Sequence, residues 1–80
     1  MSIGLHILSP EGTLLRTEVS QVTLPGMLAP FTVLPGHAPL VSALVAGNIR
    51  YVEDGTEKFL PVREGFVEVR ENQVIACVEV

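Results

Sequence analysis

An all-β sandwich or flattened barrel is the fold this sequence predicts, on three observations. Val, Ile and Thr number twelve, four and five in 80 residues, and such β-branched side chains fit a pleated, half-buried surface and crowd a helix. Turn formers recur roughly every 8–12 residues, at Pro10, Gly12, Pro25, Gly26, Pro35, Gly36, Gly47, Gly55 and Gly65, the spacing of short strands in a two-sheet body. No window of a dozen residues carries a clean helical period.

The elements follow in order. Ile3, Leu5 and Ile7 alternate with Gly4 and His6, a first strand that stops before Pro10. Glu11-Gly12 turns the chain. Thr13 to Val19 gives a second strand with a bend, and Gln21 to Leu24 a third. Pro25-Gly26 is a turn signal. Phe31 to Leu34 is a short strand between Pro30 and Pro35. Leu40 to Val45 is nearly all apolar, so it is expected to be covered on both faces until Gly47 breaks it; Asn48 to Glu53 follows. Asp54-Gly55 supplies the positive φ of a two-residue hairpin loop, and Thr56 to Val62 returns. Glu64-Gly65 is expected to turn again. Phe66 to Arg70 and Gln73 to Val80 form a last hairpin around Glu71-Asn72. The sum is about eight to ten strands in one domain, residues 1–80, with polar positions such as Glu68 and Arg70 facing water.

Composition excludes several functions. Five basic against nine acidic residues give a net charge of −4, which argues against a nucleic-acid binder or a polybasic membrane anchor. A single cysteine, Cys77, forms no internal disulfide and holds no structural zinc alone. No basic, then apolar, N-terminal leader is visible, and no apolar run approaches the roughly 20 residues of a spanning helix. The longest such run, Ala38 to Gly47, is interrupted by Pro39 and Ser42.

Catalytic equipment is thin. His37 lies on a proline-stiffened turn and invites a role as general base or metal ligand, but a metal needs further ligands and the only other histidine is His6. The ordinary reading is a turn histidine bonded to backbone or a partner. His6 falls on the polar side of the first strand. Cys77 reads as a small apolar filler of the last strand. No serine stands in a nucleophile elbow, and no phosphate-binding glycine loop occurs. Glu53, Asp54 and Glu57 flank a hairpin tip, a solvated place rather than a carboxylate cleft. Lys58 raises the alternative of a lipoyl or biotinyl carrier domain, although Glu57 and Phe59 do not match that signature. What remains is interaction: an apolar fraction of 48% in so small a body leaves some of Leu28, Phe31, Leu40, Val41 and Leu44 for partners to cover.

Several stretches in order resemble one family. Leu5-His6-Ile7-Leu8-Ser9-Pro10-Glu11-Gly12, Val22-Thr23-Leu24-Pro25-Gly26, Leu34-Pro35-Gly36-His37-Ala38-Pro39-Leu40, Gly65-Phe66-Val67-Glu68-Val69 and Asn72-Gln73-Val74 are similar to the epsilon subunit of F-type ATP synthases. The resemblance covers nearly the whole chain. It implies the ten-stranded flattened sandwich of that subunit's N-terminal domain, at the foot of the central stalk. The partners it implies are the gamma subunit and the c-ring, at the cytoplasmic face of a bacterial plasma membrane. It implies a rotor element that couples proton flow to ATP synthesis without cofactor or catalysis. It also implies contact roles. Leu28, Ala29, Pro30, Phe31, Pro35, Gly36 and His37 fall on the c-ring side, and Ser9, Ala38, Pro39, Leu40, Val41, Ser42 and Leu44 on the gamma side. The sequence departs from the family in two ways. The C-terminal helical hairpin that restrains ATP hydrolysis in many members is expected to be absent. And Leu28-Ala29-Pro30-Phe31 stands where many members carry an acidic, Gly-rich turn, so apolar contact is expected to replace ion pairing there.

Overall fold

The computed structural model describes residues 1–80, which form nine strands and no helix. In chain order they are β1 (Ile3–Ser9), β2 (Gly12–Val19), β3 (Gln21–Leu24), β4 (Phe31–Val33), β5 (Leu40–Leu44), β6 (Gly47–Glu53), β7 (Thr56–Val62), β8 (Glu64–Arg70) and β9 (Gln73–Glu79). One sheet has the order β2-β1-β9-β8-β5 and the other β4-β3-β6-β7. The two sheets pack face to face as a β-sandwich measuring 29 × 22 × 19 Å. Nine strands fall within the range read from turn spacing. Where the family resemblance implied a tenth, only an isolated bridge between Gly26 and Leu44 forms, because Pro25 cannot donate to a ladder.

Alternation sets the core. Ile3, Leu5 and Ile7 of β1, Val67 and Val69 of β8, and Val74, Ala76 and Val78 of β9 face inward from the five-stranded sheet. Val22, Leu24, Val33, Ile49, Tyr51 and Val62 meet them from the other. No charged side chain is buried, and no buried side-chain polar atom lacks a hydrogen-bond partner, so the core carries no desolvated polar cost. β1 pairs in parallel with β9, Gly4 opposite Gln73 through Leu8 opposite Cys77, which joins the two ends of the chain in the middle of one sheet. The bend in β2 is a β-bulge: Ile7 pairs with Leu15 and Leu8 with Thr13, leaving Leu14 unopposed.

Three expectations are corrected. Leu40–Val45 is not covered on both faces. β5 is an edge strand that buries Leu44 at 3% exposure and leaves Val41 at 74%. Leu44 therefore belongs to the core, and its side chain is not available to a partner. Glu64-Gly65 is not a turn; both residues lie in β8, opposite Glu79 and Val78, and the chain bends at Arg63. Gly65 is there for close approach, since a Cβ on it would stand 2.2 Å from the Cys77 carbonyl oxygen. Gly47 does not break a strand but begins β6; the break is at Val45-Ala46.

Candidate functional site

Two connections leave the sandwich with little core of their own. The first follows β3. Met27 donates its N–H to the Ala43 carbonyl at 3.0 Å, and the chain then swings out so far that Leu28 is 100% exposed. Ala29 and Pro30 are also exposed, and Phe31 turns back, half-buried, onto the core. The second connection carries β4 of one sheet over to β5 of the other. It opens on a type II turn: His37 N–H donates to the Leu34 carbonyl at 3.1 Å, Pro35 holds the second position and Gly36 the third at φ 86°. Gly36 N–H donates outward to Asn72 Oδ1 at 2.7 Å. The His37 ring bonds the neighbouring Ala38 carbonyl through Nδ1 at 2.7 Å, so Nδ1 carries the proton and the ring is tied to its own loop.

The residues assigned to the c-ring do not converge on one spot. Leu28–Phe31 and Pro35–His37 flank β4 at its two ends, about 13 Å apart at roughly 3.3 Å per residue. The residues assigned to gamma divide similarly. Val41 points outward from the β5 edge, while Leu40 is half-buried and packs against the core. The Ser42 hydroxyl donates to the Ala43 carbonyl at 3.0 Å. Ser9 closes the β1–β2 turn, its hydroxyl accepting from Glu11 N–H at 3.2 Å.

Sequence reasoning missed the largest apolar feature. On the outer face of the five-stranded sheet, Leu8 lies opposite Cys77, Cys77 opposite Phe66, and Phe66 opposite Ala43. Met27, 62% exposed, continues this row beyond the β5 edge. Together they floor an open groove of about 560 Å³ with Ser9 and Pro10 at its rim. Phe66 stands 57% exposed. The signal was available: Phe66 shares the strand face of Glu68 and Arg70, where an aromatic is out of place unless something covers it.

Charges are peripheral. Glu53 accepts hydrogen bonds from Lys58 Nζ at 2.8 Å and from the Thr17 hydroxyl of the opposite sheet. The Lys58 hydrogen bond, then that of Thr17, holds the Glu53 carboxyl below its ordinary value of 4.5. The same bond raises Lys58 above its ordinary value. Lys58 lies opposite Tyr51, inside the return strand rather than at the Asp54-Gly55 tip, and is engaged by Glu53, which speaks against a carrier lysine. His6 Nε2 pairs with the Thr13 hydroxyl at 3.0 Å, and no group of three His, Cys, Asp or Glu side chains is placed to hold a metal.

The Glu53 clip gives the fold an acid-side signature. A carboxyl lowered in the folded state contributes stability above its unfolded pKa, and that contribution is lost as pH falls through the folded value. Lys58 acts with the opposite sign, losing its contribution only as pH rises through its raised value. Glu53→Gln is therefore expected to flatten the decline in urea midpoint below pH 4.5, while the alkaline limb loses its Lys58 contribution.

Comparison with known proteins adds the following. The family model for the ATP synthase, Delta/Epsilon chain, beta-sandwich domain matches residues 2–80. An ATP synthase epsilon chain of Lawsonia intracellularis is 37% identical over 78 residues, covering 98% of this chain and 59% of that protein. One from Desulfitobacterium hafniense is 43% identical over 70 residues, covering 88% and 53%. The chain thus spans a little over half the length of these relatives. Among solved structures, a mitochondrial ATP synthase assembly of Euglena gracilis that includes the c-ring contains a chain of the same fold, with TM-score 0.90, 21% identity, and 96% of this chain and 50% of that one covered. A chain in the central stalk and c-ring of the Tetrahymena thermophila mitochondrial enzyme superposes with TM-score 0.81 at 14% identity, covering 100% and 65%.

Proposed function

We propose a function from one premise: the chain belongs to the Delta/Epsilon-chain β-sandwich family of ATP synthase. It acts as the epsilon element of the central stalk in a proton-driven ATP synthase, at the cytoplasmic face of a bacterial membrane. It is held between the gamma subunit and the c-ring and turns with them. It binds no cofactor and catalyses nothing; its contribution is mechanical.

The observation that carries this reading is the presence of two separate apolar surfaces on one stiff body. The row Leu8, Cys77, Phe66, Ala43 and Met27 offers a flat sheet face for gamma, and β5 extends it through Val41. The turn at Leu28–Pro30 offers a projecting knob for the c-ring loops. The family resemblance implied the c-ring side for Pro35, Gly36 and His37; we read them instead, beyond β4 from that knob, together with Ala38, Pro39 and Leu40 toward gamma. A joint that passes rotation between two partners needs two such faces and little internal give. Of 49 backbone hydrogen bonds, 42 lie within the strands, and Pro30, Pro35 and Pro39 lower the entropy cost of ordering the connecting loops on docking.

Mutation of the knob tests the ring contact. Leu28→Asp places a charge where the reading puts an apolar contact, at a position touching nothing in the fold. Capture of the c-ring from detergent-solubilised membranes by the tagged variant is expected to fall about tenfold, with the thermal midpoint unchanged. Undiminished capture would remove Leu28 from the contact.

A further inference from the structure

We propose that Asn72 is a positioning residue: it latches the Leu34–Pro39 crossover loop in the shape that gamma binds. The inference rests on the stalk function above. A type II turn orients the N–H of its third residue away from the turn's own carbonyls. In this loop that amide is Gly36 N–H, and it is met by Asn72 Oδ1 at 2.7 Å, from a residue 36 positions away. The loop's other hydrogen bonds, His37 N–H to Leu34 and His37 Nδ1 to Ala38, are internal and leave its attitude to the sandwich free.

Asn72 is itself fixed. Arg70 pairs with Gln73, and the two residues between them, Glu71 at φ 51° and Asn72 at φ 60°, make a tight left-handed connection that asparagine tolerates better than most residues. Its backbone carbonyl accepts Gly4 N–H at 2.9 Å, which ties the same turn to β1. One residue therefore joins the β8–β9 turn, the head of β1 and the loop that crosses between the sheets. Leu34, Gly36, Ala38 and Pro39 are exposed and only Pro35 and His37 are half-buried, so this hydrogen bond sets where His37 and Pro39 stand relative to Val41 and the β5 edge.

The substitution that separates positioning from folding is Asn72→Gly. Glycine suits the positive φ of this turn, so the hairpin survives, but the acceptor is gone. Asn72→Asp keeps an acceptor at the same reach. In the 80-residue chain, the Gly36 amide of Asn72→Gly is expected to exchange about fivefold faster, from the loss of one hydrogen bond of about 1 kcal/mol. Its amide proton resonance moves as well. Asn72→Asp is expected to restore both. Affinity for purified gamma subunit should fall about three- to tenfold in Asn72→Gly and recover in Asn72→Asp, with both variants fully folded at the assay temperature. An unchanged Gly36 exchange rate in Asn72→Gly overturns the latch. Faster exchange with unchanged gamma affinity overturns the positioning role. Failure of the unmutated chain to bind gamma overturns the stalk reading and the positioning role with it, while the exchange result still judges the latch.

Discussion

Phe66→Glu is expected to weaken binding to gamma about thirtyfold or more and to leave the fold intact. Phe66 is the one aromatic in the apolar row, with Cys77 on one side and Ala43 on the other. Buried aromatic anchors at interfaces are commonly worth 2 kcal/mol or more on truncation, which is about thirtyfold in affinity, and a carboxylate sealed into the contact adds a desolvation cost. Its side chain faces away from the core, so the thermal midpoint should hold. Phe59→Glu is the matched control. Phe59 is 55% exposed, nearly the same as Phe66, but it belongs to β7 of the opposite sheet. Titration of gamma against both variants should separate them: Phe59→Glu binds as the unmutated chain does, and Phe66→Glu does not. Equal losses would mean that net charge, not the outer face of the five-stranded sheet, governs the association.

The second large effect concerns the fold. Gly65→Ala is expected to destabilise the sandwich by about 3 kcal/mol, as overpacking against backbone does. The added methyl meets the Cys77 carbonyl oxygen at 2.2 Å and Val78 Cα at 2.9 Å. Neither atom can rotate aside, so β8 must part from β9 or shift against it, and β8 carries Val67 and Val69 of the core as well as Phe66. Domains of this size hold only about 4–12 kcal/mol in total, so the loss is a large share. Chemical denaturation of the variant measures it; a midpoint equal to that of the unmutated chain would show that the two strands have more room than the geometry gives them.

What the sequence disclosed, and what it hid, follows from the range of the interactions. The Asp54-Gly55 hairpin was legible because everything that makes it is local: Asp54 at φ 51°, Gly55 at φ 77°, and alternation on both sides. The inward sets Ile3, Leu5, Ile7 and Val67, Val69 were legible by the same alternation. The parallel closure of β1 on β9 was not, because it joins residues some 70 positions apart and leaves no local trace. Gly65 was misread because a glycine marks a turn and a close approach with the same letter. Leu40–Val45 was misread for a related reason. Apolar residues on both faces of a strand call for cover on both, but they do not say whether the chain itself supplies it. One face of β5 is covered by the chain's own core, and the other is open.

The candidate site divides along the same line. Its proline-stiffened loops could be named from the sequence, since Pro35-Gly36 announces a type II turn. That Gly36 hangs from Asn72, that Leu28 and His37 stand at opposite ends of β4, and that Phe66 completes a row with Leu8 and Ala43 are tertiary facts. They arise from register and sheet order, which single residues do not encode.

The central claim is that this domain works by being held on two sides by parts that rotate together. Covalent cross-linking in the assembled synthase tests it most directly. With the native thiol removed as Cys77→Ala, Phe66→Cys and Leu28→Cys are introduced together and oxidised against cysteines placed on gamma and on the c-ring loops. The expected result is that both bonds form in the same complex and that proton-driven ATP synthesis continues, because linking three pieces of one rotor stops nothing. Synthesis that halts on cross-linking, or bonds that form to stationary subunits instead, would contradict the account.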